Sequence, residues 1–269
     1  MALRINTNVE AFNAHRQLLG TSDKLGKSME RLSSGYRINR AADDAAGLAI
    51  TEKLRGQITG LEQAQRNAQD AISLVQTAEG SLTEVHAMLQ RVRELAVQYK
   101  NGSLSTSDRL AIQSEVNMLA SEIERIGSTA QFNGIQLLNT AQTISFQVGS
   151  EDGEIIAVST ISLGSAASAT VFSLNVANST DIAEIDAAID QISSQRAQFG
   201  AVQNRLDHTL KNLAIYQENL QASESRIRDV DMAAEMVEFT KLQILQQSGT
   251  AMVAQANQLP QSVLQLLQG

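Results

Sequence analysis

Cysteine and tryptophan are absent from the 269-residue chain, and proline occurs once. Without cysteine, the chain has neither a disulfide framework nor a thiolate metal site. Because proline interrupts helices, a single proline, Pro260, leaves long helices available. Aromatic residues make up only 3% of the chain, and the apolar content comes mainly from Ala, Leu, Ile and Val. This composition favours thin helix-to-helix cores over a deep ligand pocket.

Excess positive charge and long apolar runs are also missing. The formal net charge is −8, which argues against non-specific binding to a phosphate backbone, so no nucleic-acid partner is expected. No stretch of 18 apolar residues occurs, so no membrane insertion is expected. The opening residues, MALRINTNVEAFNAHRQLL, lack the apolar core and the cleavage site of a secretory signal. Any export is therefore expected to proceed without a cleaved signal.

The segment from Leu242 to Gly269 has no charged side chain, yet its pattern predicts a helix. Apolar or small residues recur there at alternating steps of three and four: Leu242, Leu245, Gly249, Met252, Ala256, Leu259, Val263 and Leu266. This is a heptad seam, by which one helix packs along another. The remaining face is mostly Gln, Ser and Asn. We expect the segment to become ordered when copies of the chain pack together.

Helical spacing of apolar residues predicts further long helices in both halves of the chain. A helix over about 180–227 is predicted by apolar residues seven apart: Ile185, Ile192, Phe199, Leu206, Leu213, Leu220 and Ile227. A partner helix is predicted by a three-four rhythm: Leu54, Leu61, Ala64, Ala68, Ala71, Val75, Ala78, Leu82, Val85, Leu89, Val92 and Ala96. A first helix is predicted over about 4–32, ending near Gly35, where glycine permits a left-handed residue.

A third helix and a β-hairpin complete the predicted elements. The helix follows the loop Asn101-Gly102-Ser103, and Ser105 with Asp108 is expected to cap its N-terminus. The hairpin is predicted by alternating apolar residues on either side of Glu151-Asp152-Gly153: Ile144, Phe146, Val148, Ile156 and Val158. The predicted fold is mainly α: a long antiparallel helical coiled-coil or bundle rod with a small β-hairpin region and adjacent termini.

Candidate chemical groups are scattered along the chain. His15, His86 and His208 fall on different predicted helices, so they are interpreted as helix-surface residues and not as metal ligands. The acidic pair Asp43-Asp44 is interpreted as a helix cap, since adjacent side chains diverge on a helix. Neither a glycine-rich phosphate loop nor a Ser-His-Asp spacing occurs. No cofactor is expected, and a structural or interaction protein is favoured over an enzyme.

Several sequence strings resemble bacterial flagellin from end to end. Near the N-terminus these are LRINTNVEAFNAHRQL and MERLSSGYRINRAADDAAGLAI, followed by LQRVRELAVQ and STAQFNGIQLL. The C-terminal string is SRIRDVDMAAEMVEFTKLQILQQSGTAMVAQANQLPQSVLQLLQ. The strings cover both ends in the expected order and spacing. The resemblance implies a structural subunit that polymerises into the flagellar filament and is exported unfolded through the flagellar type III apparatus.

The resemblance also implies a domain organisation. Residues 1–45 together with 228–269 would form a terminal helical assembly domain. Residues 46–227 would form a rod domain with a β-hairpin near 142–160 and a short linker at 160–180. Because many flagellins carry outer domains at that linker, this chain resembles a short form. The expected location is the extracellular filament.

Site residues and partners follow from the same resemblance. The terminal assembly seam is expected to contain Leu18, Leu25, Leu32, Leu242, Leu245, Met252, Leu259 and Leu266. Arg91, Leu95 and Glu115 match positions at which a host Toll-like receptor reads the family. Other expected partners are further copies of the chain, an export chaperone at the C-terminal helix, the filament cap and the hook-associated junction proteins. The alternatives are a hook–filament junction protein and an intracellular helical signalling or scaffold rod.

Overall fold

The computed structural model describes the backbone of residues 8–163 and 181–268, and side chains as far as Gln258. The elements in chain order are α1 (Val9–Ser34), α2 (Ala45–Tyr99), α3 (Thr106–Thr129), β1 (Gln131–Phe132), β2 (Ile135–Gln136), β3 (Thr143–Gln147), β4 (Ile155–Ser159), α4 (Asp181–Arg228) and α5 (Met232–Gln268). The prediction of a mainly α fold with antiparallel helix packing and a small β region is confirmed. Of the predicted linker at 160–180, residues 164–180 lie outside the described residues.

The chain forms two compact units. Unit 1 comprises Met1–Gly56 and Asn219–Gly269, and unit 2 comprises Gln57–Glu218. The domain boundaries expected from the sequence, 45/46 and 227/228, stay a prediction; they fall at the first residue of α2 and at the last residue of α4.

In unit 2, α2 and α4 pack antiparallel. Their ion pairs run in opposite order along the two helices: Lys100 with Asp181 at 3.8 Å, Arg93 with Asp186, and Glu79 with Arg196 at 3.9 Å. The predicted seven-residue stripe on α4 faces the core over most of its length, where Ile185, Ile192, Phe199 and Leu206 are buried. Towards the end of α4 the same stripe becomes half-buried, at Leu220 and Ile227.

Helix α3 begins with the predicted cap. The Ser105 side chain accepts the backbone N–H of Asp108, and the Asp108 carboxylate accepts the backbone N–H of Ser105 at 3.1 Å. These two bonds form a capping box, which satisfies donors that the first turn leaves unpaired. Helix α3 then buries Ile112, Val116 and Ile123 in the unit 2 core.

The predicted hairpin is formed by β3 and β4. Ile144 pairs with Val158 and Phe146 with Ile156, in the alternation that the sequence predicts. Gly153 supplies a positive φ of 94° in the connecting turn.

A second, smaller hairpin was not predicted from the sequence. It is formed by β1 and β2 around Asn133 and Gly134, which have φ angles of 47° and 79°. Two consecutive positive φ angles are typical of a two-residue hairpin turn, for which Asn-Gly is the preferred sequence. The Asn-Gly dipeptide within the string QFNGIQ could therefore have predicted this hairpin turn.

In unit 1, two breaks in the helices lie side by side. Helix α4 ends at Arg228 and α5 begins at Met232, where the Asp231 side chain accepts the N–H groups of the first turn. The second break is the loop between α1 and α2. It begins at Gly35, which ends α1 with a φ of 76°. The backbone N–H of Val230 donates to the Gly35 carbonyl at 3.0 Å and joins the two breaks.

Candidate assembly interface

Helices α1 and α5 form an antiparallel pair that brings the described ends of the chain together. The Asn8 side-chain amide donates to the carbonyl of Ala256 at 2.7 Å. Further along, Leu18 packs against Gly249, and at the other end Arg31 lies 3.8 Å from Glu235. Residue numbers therefore rise along α1 as they fall along α5, and the expectation of adjacent termini is confirmed.

The contact between the two helices follows a heptad on each. The buried and half-buried positions that recur at heptad spacing are here called the helix-pair seam. They are Ala11, Ala14, Leu18, Thr21, Leu25, Ser28 and Leu32 on α1, and Glu235, Phe239, Leu242, Gln246, Gly249, Val253 and Ala256 on α5. Both sets alternate steps of three and four, as expected for helices that pack along one another. The register places a small residue opposite a large one where Gly249 meets Leu18.

The predicted assembly residues divide into two groups. Leu18, Leu25, Leu32 and Leu242 belong to the helix-pair seam within one chain. By contrast, Leu245 is 47% exposed and Met252 is 63% exposed. The side chains of Leu259 and Leu266 lie outside the described residues.

Large apolar side chains remain exposed on both helices outside the seam. We define the α1 stripe as Phe12, Leu19 and Met29, each of which directly follows a seam residue. We define the α5 stripe as Leu245 and Met252, which each follow a seam residue by three positions. Exposed apolar side chains with a regular spacing are typical of a surface that another molecule covers.

The two stripes lie on opposite sides of the helix pair. Each residue step along a helix turns the side-chain direction by about 100° about the helix axis, so the α1 stripe is rotated from the seam by about 100°. Three steps turn it by about 300°, which equals about 60° in the opposite sense, so the α5 stripe is rotated from the seam in the opposite direction. On antiparallel helices, displacements of opposite sense point to opposite sides of the pair. Each side therefore carries an apolar stripe from one of the two helices.

Arg228 connects the two helix breaks in unit 1. Its guanidinium lies 3.0 Å from Glu52 and 3.8 Å from Glu224, and it stacks over the ring of Tyr36 at 4.8 Å. The backbone N–H of Arg37 also donates to the Arg228 carbonyl at 2.6 Å. The spacing of four residues predicts the Glu224–Arg228 pair, but the contacts of Arg228 with Tyr36 and Glu52 were not predicted, because these residues are far apart in the sequence. Together these contacts fix the α1–α2 loop against the end of α4 and the break that follows it.

Of the acidic pair at the start of α2, Asp44 has the predicted capping role, whereas Asp43 bonds to the preceding loop. The Asp44 carboxylate accepts the backbone N–H of Gly47 at 2.9 Å and caps the helix. The Asp43 carboxylate accepts the backbone N–H groups of Arg40 and Asn39. The hydrogen bond from Arg40 is the main reason that the pKa of Asp43 is lowered below its ordinary value of 3.8.

The receptor candidates in unit 2 do not share one surface. Arg91 forms ion pairs with Glu115 and Glu94, both at 3.0 Å, and all three side chains are largely exposed. Leu95 is only 2% exposed and belongs to the core. The buried position of Leu95 could have been inferred, because it lies three residues after Val92 in the core stripe of α2.

The described part of the chain has neither a metal-ligand cluster nor a membrane-spanning helix. Among residues 8–163 and 181–268, no group of His, Cys, Asp and Glu side chains has the arrangement to hold a metal ion. His86 is half-buried and makes a 2.9 Å hydrogen bond with Gln90 on its own helix. None of the helices in the described part of the chain combines the length and apolarity needed to cross a bilayer.

Comparison with known proteins identifies the class of protein to which the chain belongs. The family model described as the bacterial flagellin N-terminal helical region matches residues 5–143, and the C-terminal helical region matches residues 182–267. The chain is 54% identical to a flagellin of Halalkalibacterium halodurans, over 98% of this chain and 99% of the relative. It is 48% identical to a flagellin of Bacillus subtilis, over 98% of this chain and the whole relative.

A solved structure agrees with these matches. The crystal structure of Bacillus cereus flagellin is similar with a TM-score of 0.51 and 34% identity, over 55% of this chain and 88% of that chain. Together the matches define a helical structural subunit of a bacterial flagellar filament. The chain belongs to the bacterial flagellin family, as a short form, and its function is that of a subunit that polymerises into the filament.

Proposed function

We propose that the terminal domain, residues 1–45 with 228–269, drives polymerisation by pairing the α1 stripe of one copy with the α5 stripe of the next. The residues that carry the contact are Phe12 and Leu19 on one copy and Leu245 and Met252 on the other. The single observation behind the proposal is the exposure of these side chains on opposite sides of one helix pair. Residues 46–227 would then form the rod domain that adds contacts along the filament.

An arrangement with different stripes on opposite sides favours an open polymer over a closed dimer. A contact between two different surfaces leaves one of each unpaired after every addition, so growth continues. Full burial of a Leu, Met or Phe side chain contributes about 1.5–3 kcal/mol, so a few such residues per contact supply a substantial driving force. A single stripe that paired with itself would instead close after two copies.

The charge-free segment 242–269 suits a chain that is handled by the export machinery. We infer that the subunit passes unfolded through the flagellar type III apparatus, is secreted and joins the extracellular filament. An export chaperone would cover the apolar side of α5 before secretion, because an exposed stripe there promotes premature association. The filament cap and the hook-associated junction proteins are the proposed partners at the two ends of the filament.

For the host Toll-like receptor, we propose that Arg91 and Glu115 make the direct contacts. Both are exposed and paired to each other, so they offer a charged surface on unit 2. Leu95 would act indirectly by holding α2 in place from the core.

For the whole chain we propose a structural role, with no catalytic activity of its own.

The test is polymerisation of purified subunit after seeding or salting out, followed by sedimentation and electron microscopy. The full chain is expected to form filaments. Variants that lack residues 1–30 or 240–269 are expected to stay soluble, while circular dichroism shows that unit 2 keeps its helices. Filaments formed by either truncated variant would contradict the proposal.

A further inference from the structure

Methionine is unusually exposed in unit 1. The chain has seven methionines, and four of those in unit 1 have side chains that are about half exposed or more: Met29, Met232, Met236 and Met252. Methionine is normally found in protein interiors. Its thioether is readily oxidised when solvent can reach it.

Two of these methionines lie on the surfaces proposed for assembly. Met29 is 56% exposed and directly follows the seam residue Ser28, which places it on the side of Phe12 and Leu19. Met252 lies seven residues after Leu245, in the α5 stripe on the opposite side of the pair. Each side of the helix pair therefore carries at least one exposed thioether.

We propose that Met29 and Met252 are oxidation sites that control whether a free subunit can assemble. This inference rests on the proposed pairing of the α1 and α5 stripes. A peroxide is the oxidant: the sulfur lone pair attacks one peroxide oxygen, an S–O bond forms and the O–O bond breaks. The sulfur loses two electrons, and with hydrogen peroxide the second oxygen leaves as water.

The sulfoxide is polar, whereas its surroundings in the proposed contact are apolar. The S–O oxygen accepts hydrogen bonds, but Phe12, Leu19 and Leu245 have no side-chain donor to offer. Burial of an acceptor without a donor is unfavourable, so an oxidised subunit is expected to add poorly to a filament. Once the contact has formed, it covers the same thioethers. Oxidation would then act on subunits before they are incorporated.

The first experiment measures oxidation by peptide mass spectrometry, on free subunit and on preformed filament exposed to the same hydrogen peroxide concentration. Met29 and Met252 are expected to oxidise several-fold more slowly in the filament. Equal rates in the two states would show that the stripes are not covered. That outcome would contradict the proposed stripe pairing itself.

The second experiment measures the critical concentration for assembly after peroxide treatment of free subunit. For the full chain it is expected to rise about tenfold or more. A Met29→Leu/Met252→Leu double variant is expected to assemble equally well before and after treatment. The Met118→Leu variant, which removes an exposed methionine of unit 2, is expected to remain sensitive. Treatment with methionine sulfoxide reductases A and B is expected to restore assembly of the oxidised full chain.

Two outcomes would overturn the oxidation proposal while leaving the stripe pairing intact. One is protection of Met29 and Met252 in the filament together with normal assembly of oxidised subunit. The other is loss of assembly by the peroxide-treated double variant. If that variant assembles poorly without oxidant, Met252→Gln supplies the second test, because its polar amide is expected to raise the critical concentration with no peroxide. Unchanged assembly of Met252→Gln would contradict the proposal.

Discussion

Leu18 of α1 packs against Gly249 of α5, and its Cδ1 atom lies 3.1 Å from the position that a Cβ atom on Gly249 would occupy. That separation is shorter than ordinary van der Waals contact. The absence of a side chain at position 249 is therefore what lets the two helices approach at this point. The same contact fixes the register that leaves Leu245 and Met252 outside the seam.

Replacement of Gly249 by leucine is expected to force the helices apart. Overpacking of a close contact costs about 1–3 kcal/mol, so the free energy of unfolding of the subunit should fall by that amount. Urea denaturation followed by circular dichroism measures it. The matched control is Gly20→Leu on α1, where no atom lies within 4 Å of the added Cβ. Equal stability of the two variants would contradict the assigned packing.

A charge in the α5 stripe is expected to block assembly without unfolding the subunit. Leu245 is exposed in the single chain, so Leu245→Asp leaves the core intact. In a filament the carboxylate would be buried without a partner, which is strongly unfavourable. Sedimentation after seeding measures the effect, and the melting temperature is expected to stay unchanged. Gln258→Asp introduces the same charge at an exposed position that follows the seam residue Ala256 by two positions and so faces away from the seam and both stripes. This control variant should still assemble.

Arg228 is expected to stabilise unit 1 through its shape as well as its charge. Arg228→Lys keeps the charge but loses the planar group that stacks on Tyr36 and reaches Glu52. A cation–π contact contributes about 0.5–2 kcal/mol, so a loss of about 1 kcal/mol in unfolding free energy is expected. Arg226→Lys, at an exposed position of the same helix, is the control. A loss that is equal in both variants would show that the Tyr36 contact contributes nothing.

The capping box of α3 predicts a pH dependence. Hydrogen bonds from Ser105, chiefly from its side chain, lower the pKa of Asp108 below its ordinary value of 3.8. Because the pKa is lower in the folded state, the stabilisation is present above the ordinary value and is lost as the pH falls through the folded value. Asp108→Asn should therefore flatten the acid limb of the stability curve, whereas Asp152→Asn in the exposed hairpin turn should not. An NMR titration that gives Asp108 a pKa at or above 3.8 would contradict this.

The sequence predicted the long helices and the larger hairpin because their signals are local and periodic. Seven-residue spacing identifies the core face of α4, and alternation on either side of Gly153 identifies β3 and β4. Capping by Ser105 and Asp44 was predictable for the same reason, since each residue bonds within its own first turn.

The division of the terminal residues into a seam and two stripes was not predictable from the pattern. Leu242 and Leu245 both lie within one apolar arc of α5, and periodicity does not reveal which of them faces α1. That depends on the register between two helices from opposite ends of the chain. The Arg228 and Tyr36 contact was missed for the same reason, because it joins segments that only the folded chain brings together.

The pairing of the α1 stripe with the α5 stripe of another copy is tested most directly by cross-linking. The chain has no cysteine, so single-cysteine variants report one position each. Subunits with Leu19→Cys and subunits with Met252→Cys, distinguished by mass, are assembled together and treated with a flexible bis-maleimide. The account predicts cross-links between the two kinds of subunit, present in filaments and absent from unassembled mixtures. Cross-links that join only like positions, 19 to 19 and 252 to 252, would contradict it.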